Sequence, residues 1–163
     1  MTRPVFGLAH LTALELSPSA LVAEAARAGF NSVGLRFVPA TPGGPAYPTR
    51  VGTEAHRALK QILAGEDVRV ADIEFIQLTP DIDVRAFAGV FEAAADLGAA
   101  SVTASGDDHD AARLTAHFAE LCDLARPFDL RVDLEFMRWR AIGTLPQALA
   151  IVRQANKPNG AIL

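Results

Sequence analysis

Glu135 is the charged side chain of this sequence that is best placed for chemistry. It lies near the end of a predicted strand and is followed by the apolar residues Phe136 and Met137. A carboxylate in such surroundings can bind a divalent cation, or its pKa can rise so that it acts as a base. An ion pair with Arg36 or Arg131 is the alternative, and the spacing along the chain does not choose between the two.

Glu74 and Arg36 lie near the ends of two other predicted strands. With Glu135, Glu74 can form a pair of carboxylates around a polar substrate, while Arg36 can hold a carboxylate or a phosphate. A structural ion pair between Arg36 and Glu74 is the favoured alternative. The two interpretations agree that these side chains share one face of a sheet.

Three further side chains are candidates for a substrate pocket. His10 ends the first predicted strand but alternates in phase with Leu8, which favours a buried structural histidine over a ligand. Asp107 belongs to the acidic segment 105–110, where capping of the next helix is the favoured role and Asp107 is the functional exception. Trp139 can form an apolar wall against a sugar ring or pack on the rim of the fold.

A strand followed by a helix recurs five times along the chain, and a sixth strand begins at the end. Successive strands start roughly 30 residues apart, which is the length of one strand, one crossover helix and two short loops. The predicted strands are residues 5–10, 33–37, 68–76, 101–105, 130–136 and 160–163, and the predicted helices are residues 17–28, 53–64, 84–97, 110–126 and 145–155. Residues 38–50, rich in Pro and Gly, predict a long loop and a lid.

Polar and apolar residues alternate along these strands, so one face of the sheet is apolar and the other polar. The polar set includes Arg36, Asp72, Glu74, Arg131, Asp133 and Glu135, and the apolar set includes Leu35, Ile73, Phe75, Val132, Leu134 and Phe136. An open, doubly wound sheet is covered by helices on both faces and is apolar on both. The pattern therefore favours an α/β fold of the incomplete (β/α)8 barrel type, with about five and a half units in one domain, residues 1–163.

Composition narrows the class of protein. The chain has 163 residues, 50% of them hydrophobic, and a net charge of −4, which argues against nucleic acid or an anionic membrane as a partner. Cys122 is the only cysteine and is expected to be buried, so neither a disulfide nor a cysteine zinc site is predicted. The N-terminus runs directly into a strand, which predicts a cytoplasmic protein.

Four segments carry a resemblance to a known family: AGFNSVGL at 28–35, VADIE at 70–74, LGAASV at 97–102 and LRVDLEF at 130–136. In this order they are similar to the xylose isomerase-like TIM barrels, the superfamily of sugar phosphate isomerases and epimerases and of endonuclease IV. The resemblance extends over the whole chain, as the N-terminal two-thirds of such a barrel.

The resemblance implies a metal-dependent enzyme acting on a small sugar or polyol. In the family a divalent cation (Mn²⁺, Mg²⁺, Co²⁺ or Zn²⁺) is bound by a Glu that ends strand five, here Glu135, and by acidic and His ligands from later strands. The implied reaction is proton transfer next to a carbonyl through an enediolate; polyol dehydration is the alternative chemistry of relatives.

The sixth strand stops at Leu163, before the other family ligands. We therefore expect the 163-residue chain to bind metal weakly and to lack normal isomerase activity. Unpaired edges of the first and sixth strands predict a homo-oligomer or poor solubility. The rival hypothesis is a non-catalytic half-barrel that binds a ligand or self-associates.

Overall fold

One sheet of parallel strands forms the centre of the computed structural model, which describes residues 4–163. The strands of the described part are β1 (Gly7–Leu8), β2 (Ser32–Arg36), β3 (Arg69–Leu78), β4 (Ser101–Gly106), β5 (Arg131–Glu135) and β6 (Gly160–Ile162). They lie side by side in chain order. Because the strand order of a doubly wound sheet reverses at a switch point, this sequential order excludes that fold and confirms the partial barrel.

Helices connect consecutive strands. They are α1 (Pro18–Arg27), α2 (Glu54–Glu66), α3 (Ala88–Asp96), α4 (Ala111–Ala125) and α5 (Leu145–Ala155), with short 3-10 helices at His10–Ala13, Val84–Phe87 and Arg126–Phe128. Ser17, Thr53 and Asp110 cap α1, α2 and α4 by accepting backbone N–H bonds. Within residues 4–163 no helix combines the length and the apolar character needed to cross a membrane.

The apolar face of the sheet packs against these helices and forms the core. Leu21 of α1, Leu59 of α2 and Phe118 of α4 are fully buried or nearly so. On the strands, Leu35 and Leu134 belong to the same cluster. Cys122 is also in it, and burial raises the pKa of its thiol to about 12, as expected of a core cysteine.

Strand β3 departs from the predicted alternation. Ile73 pairs with Val102 and Ile76 with Ala104, so two residues of β3 oppose one residue of β4. This bulge brings Phe75 to the polar side of the sheet, where the guanidinium of Arg36 lies over its ring, 5.6 Å from the centroid. The prediction that Phe75 shares the apolar face with Ile73 is therefore wrong, because strict alternation does not hold across a bulge.

The ends of two strands also differ from the predictions. β1 has two residues instead of six, and His10 begins a 3-10 helix. β3 continues past the predicted residue 76 as far as Leu78, which brings Gln77 into the sheet. β1 and β6 form the two outer edges of the described sheet; association of copies through them stays a prediction. Residues 1–3, on which the expectation about the N-terminus partly depends, lie outside the described part.

We call the opposite side of the sheet the polar face. It carries Gly34 and Arg36 of β2, Asp72, Glu74, Phe75 and Gln77 of β3, Thr103 and Ser105 of β4, and Arg131, Asp133 and Glu135 of β5. A Cβ atom at Gly34 would lie 2.7 Å from Oδ1 of Asp72 and 3.0 Å from Oε1 of Glu74. The absence of a side chain at position 34 therefore makes room for two carboxylates.

Candidate functional site

Arg36 and Glu74 form a buried ion pair on the polar face. Nε of Arg36 donates to Oε2 of Glu74 at 3.0 Å and Nη2 donates to the same oxygen at 2.5 Å. The two side chains are only 8% and 12% exposed. The ion pair anticipated from the sequence is thus confirmed, while a role for either residue in substrate binding stays a prediction.

Two more carboxylates of the polar face are engaged. Asp133, which is 2% exposed, accepts from Nε and Nη2 of Arg131 at 2.5 and 2.8 Å. Asp72 accepts from Oγ1 of Thr103 at 3.0 Å. Burial, with a smaller contribution from the negative charge of Glu74, raises the pKa of Asp72 to about 6.

Glu135 differs from these carboxylates because its side chain makes no hydrogen bond or ion pair to any other described residue, although its backbone pairs with β4. It ends β5 and is partly buried. Burial and the nearby charge of Glu74 raise the pKa of its carboxyl, and the charge of Arg36 opposes that rise. Since Arg36 and Arg131 are paired with Glu74 and Asp133, the alternative of an ion pair to Glu135 is wrong.

Asp107 lies just beyond the end of β4 and joins three segments. Its Oδ2 accepts from Nε2 of Gln77 and, at 2.9 Å, from Nη1 of Arg140. Nη2 of Arg140 donates to the carbonyl of Ala40 at 3.2 Å, and the guanidinium lies 5.9 Å from the centroid of the Phe75 ring. Asp107 therefore connects to β3 and, through Arg140, to the loop after β2.

Gln77 and Arg140 were not among the residues predicted for the site. Gln77 falls in the part of β3 that extends beyond the predicted strand. Arg140 follows Trp139 in the loop after β5. Its place in a loop at the C-terminal end of a strand was the sequence feature that could have identified it as a site residue. The other acidic residues of segment 105–110 have structural roles: Asp110 caps α4, and Asp108 is paired with Arg113 at 2.6 Å.

His10 is fully buried and both of its ring nitrogens are engaged. Nε2 donates to the carbonyl of Leu16 and Nδ1 accepts from the backbone N–H of Arg36, each at 2.9 Å. Its ring stacks on Tyr47 with centroids 5.1 Å apart. This arrangement supports the structural interpretation of His10 and leaves no nitrogen free for a substrate.

Trp139 is 79% exposed, so it does not pack on the rim as one interpretation expected. The loop at residues 38–50 is held at both ends. Tyr47 donates from its backbone N–H to the carbonyl of Arg36 at 2.9 Å, and Ala40 accepts from Arg140. A lid motion of this loop would have to break these bonds, and contact of Trp139 with a ligand stays a prediction.

Metal binding requires several ligands at one point. In the described range, 4–163, no group of three or more His, Cys, Asp or Glu side chains is arranged to hold a metal ion. Glu135 offers one unengaged carboxylate, while Glu74, Asp107 and Asp133 are paired with arginines. The described residues therefore do not by themselves fit a complete metal site.

Solved structures similar to this chain are barrels of greater length. A xylose isomerase domain containing protein from Salmonella typhimurium has a TM-score of 0.76 and 17% identity, over 99% of this chain and 62% of that one. The IOLI protein, solved with a zinc atom, has a TM-score of 0.72 and 20% identity, over 96% of this chain and 60% of that one. D-allulose 3-epimerase from Methylomonas sp., in complex with D-allulose, has a TM-score of 0.72 and 17% identity, over 98% of this chain and 62% of that one.

These likenesses establish the fold alone, because the identities are low. The chain spans about 60% of the length of these structures. No protein with a curated description matches it in sequence. The family model described as "Xylose isomerase-like TIM barrel" matches residues 22–163. The chain therefore belongs to the xylose isomerase-like TIM barrel family.

Proposed function

We propose that the polar face is the substrate-binding side of a sugar isomerase or epimerase, and that Glu135 transfers the proton next to the substrate carbonyl. The family is largely enzymatic, and one similar structure is an epimerase with its sugar bound. Because the chain spans about 60% of such structures, the activity, the substrate and the cation are all part of the proposal.

The state of Glu135 is the observation that carries the proposal. A general base needs a carboxylate that is not already held by an arginine and whose pKa is closer to neutrality than usual. Each of the other four carboxylates on or beside the polar face, Asp72, Glu74, Asp107 and Asp133, accepts at least one hydrogen bond from a side chain. Glu135 is unengaged within residues 4–163, its pKa is raised, and it stands at the C-terminal end of its strand, where barrel enzymes have their active groups.

The proposed reaction is a proton transfer in two steps. The carboxylate of Glu135 takes the proton from the carbon next to the carbonyl, and the electron pair of that C–H bond moves to the carbonyl oxygen to form an enediolate. Protonation of the same carbon from the opposite side by a water molecule epimerises the sugar, and the proton held by Glu135 then passes to solvent. Delivery of that proton by Glu135 to the neighbouring carbon isomerises the sugar, while the proton of the adjacent hydroxyl moves to the former carbonyl oxygen. The Arg36 guanidinium, fixed by Glu74, partly offsets the rise in the pKa of Glu135 and so helps to keep the carboxyl in its charged, basic form.

The proposal includes a divalent cation (Mn²⁺, Mg²⁺, Co²⁺ or Zn²⁺), which would polarise the carbonyl when bound. Glu135 can supply one oxygen ligand to it, but the described residues do not complete a site. None of the proton-transfer steps above therefore depends on the cation. This part of the proposal draws on the IOLI protein, which has a zinc atom in its structure.

The test is exchange of the substrate proton with solvent. The chain is incubated in D₂O with D-allulose and D-fructose, with and without Mn²⁺, and deuterium at the carbons next to the carbonyl is followed by NMR. We expect Glu135→Gln to reduce the exchange rate at least about 100-fold, the usual scale for loss of a general base. Glu66→Gln, which changes an exposed glutamate at the end of α2, is the matched control and should leave the rate unchanged.

Two results would count against this assignment. Equal exchange by the Glu135→Gln variant and the unmodified chain would exclude Glu135 as the base. Because the described residues do not complete a metal site, we expect the unmodified chain to exchange the proton more slowly than a normal isomerase but faster than buffer alone. Exchange no faster than in buffer alone, with or without Mn²⁺, would favour the rival of a non-catalytic half-barrel.

A further inference from the structure

We propose that the polar face selects an uncharged, polyhydroxylated ligand and excludes phosphate esters and carboxylates. This inference rests on the proposed function and deepens it by naming the class of sugar. The family resemblance covers enzymes of both sugars and sugar phosphates, and nothing in the sequence chooses among these substrates.

The first argument is that both guanidiniums of the polar face, and that of Arg140 beside it, already have a carboxylate partner. The pairs are Arg36 with Glu74, Arg131 with Asp133 and Arg140 with Asp107. In each pair one nitrogen lies within 3.0 Å of a carboxylate oxygen, and Arg36 and Arg140 are at most 12% exposed. Recognition of phosphate depends on arginine or lysine donors that are free to turn toward it. The described polar face therefore carries no arginine without a carboxylate partner; beside it, Nε of Arg140 is buried without a hydrogen-bond partner, although Nη1 of the same side chain is paired with Asp107.

The second argument is the balance of charge. Besides the two paired carboxylates Glu74 and Asp133, the polar face carries Asp72 and Glu135, neither of which has a cationic partner among the described residues. Carboxylates therefore outnumber guanidiniums, and a phosphate brought close to Glu135 would approach a like charge. Such contacts are costly where the surroundings are partly dehydrated. An uncharged ligand avoids this repulsion.

The third argument comes from Ser105, which points to a ligand independently of the charges. The residue is fully buried, and its Oγ has no hydrogen-bond partner. It pairs in register with Gln77 on one side and with Glu135 on the other, and it shares its face with Thr103, whose hydroxyl contacts Asp72. A buried polar group without a partner is unfavourable unless something completes it.

A sugar hydroxyl matches this group well. A hydroxyl donates one hydrogen bond and accepts others, so it can bond to Ser105 and to Glu135 at the same time. A phosphate oxygen at pH 7 only accepts, and it leaves the carboxylate of Glu135 facing another anion. The chemistry at the end of β4 and β5 is therefore that of a site for a neutral polyol.

The test compares two ligands that differ by one phosphate. Binding of D-fructose and D-fructose 6-phosphate is measured by NMR titration at pH 7.5 and low ionic strength, where charge effects are least screened. We expect the unmodified chain to bind the neutral sugar at least about tenfold more tightly than its phosphate ester.

A variant then tests the cause. Asp107→Asn removes the carboxylate that neutralises Arg140 and leaves a guanidinium available at the edge of the polar face. We expect the affinity ratio of phosphate ester to neutral sugar to rise about fivefold or more. Asp123→Asn is the matched control. It releases Lys157 from an ion pair in which Nζ of Lys157 lies 2.6 Å from Oδ2 of Asp123, and this pair is not on the polar face. The affinity ratio of this variant should stay that of the unmodified chain.

The outcomes separate the two proposals. Equal or tighter binding of the phosphate ester by the unmodified chain would overturn the inference while leaving the sugar site in place. An unchanged ratio in Asp107→Asn would overturn the explanation that paired arginines cause the selectivity. Binding of neither sugar would overturn the proposed function and this inference with it.

Discussion

Asp72 provides a test of how the polar face affects stability. Its carboxyl is partly buried between Gly34 and Thr103, and burial together with the charge of Glu74 raises its pKa from 3.8 to about 6. A carboxyl with a raised pKa in the folded state binds its proton more tightly than in the unfolded chain. Replacing it with asparagine should remove the cost of ionising it inside the fold.

The sign and size follow from the two pKa values. Between pH 3.8 and about 6 the unfolded chain loses the Asp72 proton while the folded chain retains it, so stability falls as the pH rises through this window. The rise of roughly two pH units, at about 1.4 kcal/mol per unit, corresponds to a penalty of about 3 kcal/mol above pH 7. At pH 4 the penalty is below about 1 kcal/mol, because this pH lies only just above the pKa of the carboxyl in the unfolded chain and well below its pKa in the folded one.

Urea unfolding of the unmodified chain and of Asp72→Asn, at pH 4.0 and pH 7.5, measures this difference. The amide oxygen of asparagine can still accept from Thr103, so the variant keeps that hydrogen bond. We expect it to raise the free energy of unfolding by up to about 3 kcal/mol at pH 7.5 and by less than about 1 kcal/mol at pH 4.0. Asp81→Asn, at an exposed position, is the control and should change neither value.

Two results would refute the reasoning. A variant less stable than the unmodified chain at pH 7.5 would mean that the ionised carboxylate stabilises the fold. A difference that does not depend on pH would mean that the effect comes from packing and not from the proton.

Two further substitutions test the packing of the same face. Glu74→Gln leaves Arg36 buried without its partner and should lower the free energy of unfolding by about 3 kcal/mol, measured by urea unfolding at pH 7.5. Gly34→Ala adds a Cβ atom 2.7 Å from Oδ1 of Asp72 and should cost about 1–3 kcal/mol in the same measurement.

Matched controls exist for both substitutions. Glu24→Gln removes an exposed pair with Arg27, whose side chain is 79% exposed, and should cost less than about 1 kcal/mol. Gly65→Ala adds a Cβ atom where nothing lies within 4 Å, inside α2, and should be neutral or stabilising. If either control substitution lowers the free energy of unfolding as much as its counterpart on the polar face, burial of that face does not account for the loss of stability.

The predicted order of strands and helices was accessible from the sequence, since it depends on local patterns. Apolar runs at regular spacing, with Ser17 as a cap and a proline in the next position, identify the elements within a few residues. The alternation in β5 correctly separated Asp133 and Glu135 from Val132 and Leu134. In β3 the same rule failed at Phe75, because a bulge depends on the partner strand and leaves no mark in the alternation.

The sequence by itself determined the parallel sheet, its polar face and the position of Glu135 at the end of β5, because periodicity and strand length are properties of short segments. Only the tertiary structure decided which carboxylates are paired. Arg36 meets Glu74 across 38 residues, Arg140 meets Asp107 across 33, and Glu135 is left unengaged. Such pairings depend on the register between strands and on the path of loops, so no local pattern predicts them.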